Sequence, residues 1–345
     1  MECREFGTTN EGLQARLYTI RNQNIELSLS DFGAALVSAV YRPLNRDIVQ
    51  GFTEVKGYQN EVQYMGCSVG RVCNRISKGT FTLNGTVFHV PVNNGPNSLH
   101  GGLIGFSDRI WDAEPHEDHI IFRLFSKDGD QGYPGDLHVQ AVYRLLEDGW
   151  SVTYTGTAEA DTLFSMTNHA FFNLNGPCSD TALDHVIQTD ADHFRRVDPD
   201  GQTYGCALSV EGTPFDFRQP HLLGERIDAD DEFIRNGNGY DHHFEVPGCG
   251  MRTMVTCRNS DLTMEVRSDL PGFHLYSSNF LNGDSVHGKL GGVFPYRSSV
   301  CFETQYVPDA VNLDDAETPL LKKGETRSNT TEYHLCTGGI NHECQ

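Results

Sequence analysis

Alternation of apolar and polar residues with a period of two recurs along this chain and constrains its fold more than any other feature. Ile25, Leu27 and Leu29 alternate with polar neighbours, and residues 34–41 continue as an apolar run of strand length. Because successive side chains of a strand point to opposite faces, the pattern predicts strands that are buried on at least one face.

Hairpin turn signals join several of these runs. Asn84-Gly85 lies in the middle of one predicted hairpin and Asp148-Gly149 in the middle of a second. Both dipeptides accept the positive φ angles that a two-residue primed turn requires. A third hairpin is predicted around residues 258–261. Recurring hairpins indicate antiparallel sheets.

Helical periodicity is sparse and is confined to short stretches at Thr53–Gln59 and His221–Ile227. The 35 glycines suit short strands joined by turns, and no linker or repeat divides the chain. We therefore predict an all-β fold, a large antiparallel β-sandwich with a few short helices, as a single domain over residues 1–345. A β-barrel and a pair of β domains are the alternatives.

Charge and hydropathy exclude several classes of partner. The formal net charge of −21 repels nucleic acid and anionic lipid. No apolar run approaches the roughly 18 residues that span a membrane, and the charged start Met-Glu-Cys-Arg-Glu-Phe lacks the apolar core of a secretory signal. We therefore expect a cytoplasmic protein that binds a neutral small molecule.

The cysteines are expected to be reduced thiols, since ten of them are scattered along a long chain without a signal sequence. No metal site is predicted. The nearest candidate cluster, His334, Cys336, His342 and Cys344, fits no zinc spacing.

The stretch Ser165–Gly176 contains a histidine beside aromatic residues. In a strand, His169, Phe171 and Asn173 would share one face, and this mixture of polar and aromatic groups suits a sugar or another polar ring. A hydrogen-bonded core histidine is the more common explanation for a single histidine. Taken alone, the stretch leaves both interpretations open.

Two polar loops upstream offer groups that could bind hydroxyls. Residues 70–76 supply Asn74 and Arg75, and residues 93–102 supply His100. Amide, guanidinium and imidazole groups donate hydrogen bonds, and the glycines permit tight turns. An Arg-Asn pair that caps loop carbonyls is an equally good structural explanation. These loops contain no Gly-x-Gly-x-x-Gly dinucleotide fingerprint.

Two carboxylates lie beside or within apolar strands. Asp241 follows a turn, which it could simply cap. Glu303 lies at the centre of a strand, on the same face as Cys301 and Gln305. Desolvation of a buried carboxyl raises its pKa towards that of a useful base. A salt bridge to an arginine is the competing explanation for Glu303.

Several motifs together resemble the aldose 1-epimerase (galactose mutarotase) family in order and spacing. The resemblance covers roughly residues 25–331, and its two most specific stretches are Pro-Asn-Ser-Leu-His-Gly-Gly and Glu-Thr-Gln-x-x-Pro-Asp-Ala. The motifs are Gly70-Arg-x-x-Asn-Arg, Gly95-Pro-Asn-Ser-Leu-His-Gly-Gly, Gly132-Tyr-Pro-Gly, Asn168-His-Ala-Phe-Phe-Asn-Leu, Gly212-Thr-Pro-Phe-Asp-Phe-Arg, Tyr240-Asp-His and Glu303-Thr-Gln-x-x-Pro-Asp-Ala-x-Asn.

The resemblance implies an isomerase that interconverts the α and β anomers of a free aldose, such as D-galactose or D-glucose, without metal or other cofactor. It implies that His169 is the general acid and Glu303 the general base. It also implies that the sugar is bound by Asn74, Arg75, His100, Asp241 and the residue at His274. We expect a monomer or weak homodimer.

The chemistry agrees with these roles. Mutarotation takes a proton from the anomeric hydroxyl and gives one to the ring oxygen, so it needs two groups of opposite protonation state. We expect ionised Glu303 and protonated His169 to start the reaction and to exchange roles when the ring closes. The reaction requires no nucleophile.

Three residues depart from the family pattern. Phe171 stands where the family commonly has Tyr, His243 where it has Asn and His274 where it has Gln. None of the changes removes a catalytic group. His274 can titrate near neutrality, which a glutamine cannot, so it could alter the sugar preference or the pH optimum.

Two other functions stay open, a non-catalytic sugar-binding protein and a sugar-phosphate epimerase of the same fold. The presence of both His169 and Glu303 argues against the first. The negative net charge gives no sign of extra Arg or Lys residues for a phosphate group, which argues against the sugar-phosphate epimerase. A glycosidase that pairs Glu303 with Asp241 is a remote alternative.

Overall fold

The computed structural model describes residues 1–62 and 64–338, and most of its regular structure is strand. The strands, in chain order, are β1 (Glu2–Thr8), β2 (Gln14–Arg21), β3 (Ile25–Ser30), β4 (Ala35–Tyr41), β5 (Arg46–Asp47), β6 (Ser68–Val69), β7 (Arg75–Ile76), β8 (Thr80–Leu83), β9 (Thr86–His89), β10 (Ser98–Leu99), β11 (Asp112–Pro115), β12 (His119–Ser126), β13 (Leu137–Leu145), β14 (Gly149–Ala158), β15 (Thr162–Leu163), β16 (Thr167–Asn168), β17 (Val186–Gln188), β18 (His193–Phe194), β19 (Leu208–Ser209), β20 (His221–Leu222), β21 (Asp241–Glu245), β22 (Arg252–Arg258), β23 (Leu262–Ser268), β24 (Gly272–Tyr276), β25 (Cys301–Gln305), β26 (Leu320–Leu321) and β27 (Thr326–Thr337). The α-helices are α1 (Val55–Asn60) and α2 (Glu232–Gly237).

Three antiparallel sheets form the body of the described chain. Their strand orders are β11-β12-β13-β14-β27-β23-β22-β17-β20, β1-β2-β3-β4-β5 and β19-β18-β21-β24-β25. One core cluster takes buried side chains from all three sheets, including Leu27, Val152 and Phe302. Packed antiparallel sheets that share an apolar core confirm the predicted all-β sandwich. The single domain over residues 1–345 stays a prediction.

The predicted hairpins form, but one turn differs from its prediction. Asn84 and Gly85 have φ angles of 51° and 77° and join β8 to β9 as predicted. The β22–β23 hairpin also forms. Between β13 and β14, however, Leu146 pairs with Gly149, so Glu147 and Asp148 form the turn rather than Asp148-Gly149. A slip of one residue would turn the fully buried Trp150 away from the core.

The helix predictions were only partly right. Helix α1 lies at the predicted Thr53–Gln59 stretch. The prediction at His221–Ile227 was wrong, because Leu222 pairs with Val186 at the edge of the nine-stranded sheet. Helix α2 was missed, although Asp231 caps it by accepting hydrogen bonds from two N–H groups of the first turn.

The stretch around His169 is not the continuous strand that its sequence predicts. Only Thr167–Asn168 forms a strand, and the chain then runs between sheets, where Phe172 bridges to Val49 and Val300. Asn173 is fully buried and donates hydrogen bonds to the Thr181 and Ser298 carbonyls at 2.9 and 2.7 Å. Its role is therefore structural.

Two expectations from composition have mixed outcomes. Eight of the cysteines in the described residues are free thiols, but Cys336 is disulfide-bonded, so the expectation of reduced thiols fails there. His342 and Cys344 lie outside the described residues. No helix in the described chain combines the length and the apolar character needed to cross a membrane.

A glycine fixes the loop that carries His100. Gly101 has a φ of +93°, and a Cβ at this position would lie 1.9 Å from the Gly70 carbonyl oxygen. Only a residue without a side chain fits there, since the contact is with backbone and not with a side chain that could move.

We expect Gly101→Ala to lower the free energy of unfolding by about 3 kcal/mol or more, because backbone clash adds to left-handed strain. Gly129→Ala is the matched control, since Gly129 has a φ of +78° but no atom within 4 Å of the added Cβ. It should cost only about 1–2 kcal/mol. Urea denaturation measures both losses, and equal losses would contradict the proposed clash.

Candidate active site

Three adjacent strands of one five-stranded sheet carry polar side chains on a common face. In the register of β21, β24 and β25, His243 lies opposite His274, and His274 lies opposite Glu303. Asp241 is two residues before His243 and therefore shares its face. Phe302, next to Glu303, points instead into the core. The predicted alternation around Glu303 is confirmed.

A short ribbon formed by β7 and β10 supplies a second group of polar residues. The Asn74 N–H donates to Nδ1 of His100 at 3.1 Å, and the His100 N–H donates to the Asn74 carbonyl at 3.0 Å. The Asn74 side-chain oxygen also accepts from the Arg75 N–H at 2.8 Å. These bonds hold Asn74, Arg75 and His100 in one fixed arrangement.

Backbone hydrogen bonds on both sides fix His169. Its N–H donates to the Cys67 carbonyl at 2.9 Å, and its carbonyl accepts from the Gly66 N–H at 2.7 Å. The Asn168 amide donates to the Gly66 carbonyl at 2.7 Å and to the Tyr143 hydroxyl at 3.0 Å. The imidazole ring stacks on Phe171, with centroids 5.1 Å apart and planes at 18°. His169 and Phe171 therefore lie side by side as predicted, but not as neighbours on a strand, and Asn173, predicted on the same face, instead bonds to backbone carbonyls.

These elements converge on one cavity of about 640 Å³. Its lining includes all seven residues singled out from the sequence, namely Asn74, Arg75, His100, His169, Asp241, His274 and Glu303. Nε2 of His169 lies 3.5 Å from Oε1 of Glu303, although the two residues are far apart in the sequence. The fold therefore creates this contact.

Asp241 is held as a carboxylate. Nε2 of His274 donates to its Oδ1 at 2.8 Å, and an Arg75 guanidinium nitrogen lies 4.0 Å from its Oδ2. Burial acts to raise the pKa of Asp241, but the His274 hydrogen bond and the charges of His274 and Arg75 lower that pKa to about 2. Asp241 is therefore ionised across the neutral range.

The acid–base pair has a different resting protonation from the one expected. Burial raises the pKa of Glu303 well above its ordinary value, and the charge of Asp241 raises it further, partly opposed by Arg75. Burial lowers the pKa of His169 to about 4. Both shifts favour the neutral forms, a protonated Glu303 and an unprotonated His169. Ionised Glu303 and protonated His169 were expected, and desolvation disfavours both charges.

One group of residues could hold a metal ion by distance alone. Ligand atoms of His100, His169 and Glu303 lie within 4.8 Å of one another. Nδ1 of His100 accepts the Asn74 N–H, however, so Nε2 of the neutral ring carries the proton. Histidine ligands usually donate from their second ring nitrogen, whereas this one accepts. The arrangement suits a hydrogen-bond donor better than a metal ligand.

The sequence argument missed several residues that line the same cavity. Asn94 lies in a loop already identified as polar, and its side-chain oxygen accepts from Nε of Arg75 at 3.0 Å. Tyr64, Asp200 and Phe280 also line the cavity, although no motif marked them. Asn94 directly precedes the motif that begins at Gly95, so it could have been found from the sequence. The other three residues are brought to the cavity by the fold.

Comparisons with known proteins agree with the geometry. The family model described as Aldose 1-epimerase matches residues 16–334. The chain belongs to the aldose 1-epimerase family. A galactose mutarotase from Bos taurus is 41% identical over 290 residues, which is 83% of each chain. An aldose 1-epimerase from Escherichia coli K12 is 35% identical over 340 residues, covering 94% of this chain and 96% of the relative.

The fold of this aldose 1-epimerase family member also matches solved structures. Galactose 1-epimerase from Lactobacillus acidophilus superposes with a TM-score of 0.87 at 25% identity, over 98% of both chains. The resemblance inferred from the sequence motifs is confirmed, and so is the expected enzyme class, an isomerase. In this family member, the cavity between the β21–β24–β25 face and the β7–β10 ribbon is the candidate active site.

We expect Asn168→Ala to reduce kcat by about tenfold or more, because small displacements of a catalytic group are costly. The variant should also lose about 1–3 kcal/mol of stability, since it leaves buried partners unpaired. Asn173→Ala is the control, because Asn173 is an equally buried amide that does not contact the Gly66–Cys67 segment. It should lose similar stability but keep kcat within about threefold. Thermal unfolding and steady-state kinetics measure the two effects, and equal losses of kcat would refute the positioning role.

Proposed function

We propose that the protein is an aldose 1-epimerase that interconverts the α and β anomers of free hexoses such as D-galactose and D-glucose. The observation that carries the proposal is the 3.5 Å approach of Nε2 of His169 to Oε1 of Glu303 within a polar cavity. Names of the relatives, galactose mutarotase and aldose 1-epimerase, support the same reaction.

The proposed reaction begins with a proton shift within the pair. Sugar hydroxyls that donate to Glu303 favour its charged form, so binding moves the shared proton to His169. Glu303 then accepts the proton of the anomeric hydroxyl while His169 protonates the ring oxygen. The bond between C1 and the ring oxygen breaks, and the sugar opens to an aldehyde.

Rotation about the C1–C2 bond then exposes the other face of the aldehyde. His169, now neutral, takes back the proton from the hydroxyl that re-forms the ring, and Glu303 returns its proton to the carbonyl oxygen. Each positioned transfer contributes about 10²–10⁴-fold to the rate. The number of protons on the pair is unchanged after a full turnover.

The remaining predicted residues are proposed to hold the sugar. His100, as a neutral Nε2–H donor, and Arg75 supply hydrogen bonds to hydroxyl oxygens, with Asn74 beside them. Asp241 accepts from a sugar hydroxyl through Oδ2, because its Oδ1 already accepts from His274. His274 therefore supports sugar binding through Asp241.

The charge of the cavity disfavours a sugar-phosphate substrate. Four carboxyl side chains line it, those of Glu61, Asp200, Asp241 and Glu303, and Arg75 is the sole arginine or lysine among the described lining residues. A phosphate group would meet net repulsion. A purely sugar-binding protein would have no need to desolvate an acid and a base against each other, which costs free energy.

The cellular location and the assembly state stay predictions. We expect a cytoplasmic enzyme that is a monomer or weak homodimer and whose partner is a small aldose rather than nucleic acid or membrane.

Polarimetry of freshly dissolved α-D-galactose or α-D-glucose tests the activity, and absence of any acceleration by the wild type would refute the proposal. We expect Glu303→Gln and His169→Asn each to lower kcat by at least about 100-fold with folding intact. Glu159→Gln is the control, because the Glu159 side chain is 63% exposed and lies outside the cavity. Near-normal turnover in either active-site variant would show that its assigned role is wrong.

The pH dependence follows from the shared proton. As pH falls through about 4, His169 gains a proton while Glu303 is still protonated, so neither group can accept the anomeric proton. We therefore expect kcat/KM to be flat between pH 5 and 7 and to fall about tenfold per pH unit below about pH 4. A decline centred near 6.5, the ordinary pKa of histidine, would contradict the shared-proton pair.

A further inference from the structure

Tyr64 lies against His169, the proposed acid, and against His100, a proposed sugar-binding residue. Its ring centroid is 4.7 Å from that of His100 and 6.2 Å from that of His169, and it is nearly parallel to the His169 ring, with 24° between the planes. Tyr64 lines the cavity and is partly buried. His169 is thus stacked between the rings of Tyr64 and Phe171, and Tyr276 contacts it edge-on at 6.1 Å. The Tyr276 hydroxyl already accepts from the Phe280 N–H at 3.1 Å.

The backbone at Tyr64 adopts a conformation that most residues avoid. Its φ is +65°, in the left-handed region that is uncommon for a residue with a side chain. The Cys67 N–H donates to the Tyr64 carbonyl at 2.9 Å and closes a turn. Gly66 and Cys67 of this turn are the residues that hydrogen-bond to the His169 backbone. The turn that fixes His169 therefore also fixes the Tyr64 ring, and strained residues of this kind cluster at functional sites.

The Tyr64 hydroxyl is a hydrogen-bond donor without a protein partner in the described chain. Burial raises its pKa to about 12, the charge of Asp108 adds to the rise and that of Arg75 opposes it, while no hydrogen bond contributes. The phenol therefore keeps its proton across the working range and cannot act as the base. A partly desolvated O–H group is favourable only when an acceptor reaches it.

We propose that Tyr64 is a further sugar-binding residue, which donates a hydrogen bond from its hydroxyl to one hydroxyl oxygen of the bound aldose. The inference rests on the proposed function, because it assigns a binding role within the same cavity. Tyr64 acts on substrate affinity, since its hydroxyl exchanges no proton with the sugar. The stacking of its ring on His169 is independent of the hydroxyl and is retained in phenylalanine.

The experiment compares wild type with Tyr64→Phe by polarimetry, using α-D-galactose and its 2-deoxy, 3-deoxy, 4-deoxy and 6-deoxy analogues. Loss of one hydrogen bond should raise KM for galactose about three- to tenfold, with kcat within about twofold. For the analogue that lacks the partner hydroxyl, wild type and Tyr64→Phe should have equal KM values. Tyr204→Phe is the matched control, because it removes a tyrosine hydroxyl outside the cavity, from a residue that is 37% exposed.

Two results would overturn the inference while leaving the proposed function intact. One is a KM for galactose that is the same in Tyr64→Phe and wild type. The other is an equal rise in KM for galactose and for all four analogues. That result would show that the Tyr64 hydroxyl affects binding through other protein groups rather than through a hydrogen bond to the sugar.

Calorimetric titration with galactose separates the two proposals if the wild type does not accelerate mutarotation. If Tyr64→Phe raises the Kd for galactose about three- to tenfold, the result would support the Tyr64 contact and refute catalysis. Absence of galactose binding by the wild type would refute both.

Discussion

Burial of a carboxyl group against an imidazole is the constraint on which the rest of the site depends. Two charges in that position would each cost several kcal/mol of desolvation, so burial favours the neutral forms of Glu303 and His169 in the free protein. Asp241 is charged a short distance away because His274 and Arg75 offset its burial. The site thus contains an ionised carboxylate, Asp241, which is suited to binding, and a separate pair, Glu303 and His169, which is suited to moving a proton.

Two kinds of scaffold meet at this site. The pleat of β21, β24 and β25 places Asp241, His274 and Glu303 on one face, and register alone determines their spacing. The opposite wall is built from short segments, in which Asn74, His100 and His169 owe their positions to individual backbone hydrogen bonds. A substitution in the sheet would change a side chain without moving its neighbours, whereas one in the short segments would move the residues themselves.

The sequence predicted more of the sheet wall than of the opposite wall. Period-two alternation depends on local burial and identified the face of Glu303 correctly. The Asn84-Gly85 pair identified its hairpin, because the turn signal is also local. The stretch after Asn168 has the same alternation but runs between sheets, and nothing local distinguishes the two cases. The turn before Trp150 was set by core packing rather than by its Asp-Gly pair. The pKa shifts of the pair and the contacts of the Tyr64 ring with His100 and His169 arise between residues distant in sequence, which no local pattern records.

The short distance between Glu303 and His169 also makes the cycle self-contained. In the proposed reaction, every proton that leaves the sugar is held by one of two adjacent side chains and is returned to the sugar within the same encounter. Neither solvent nor buffer has to restore the groups between turnovers, so product release leaves a site that is ready for either anomer. Like any catalyst, the enzyme leaves the equilibrium constant unchanged, so the ratio of the two anomers relative to that constant decides the direction of the net reaction.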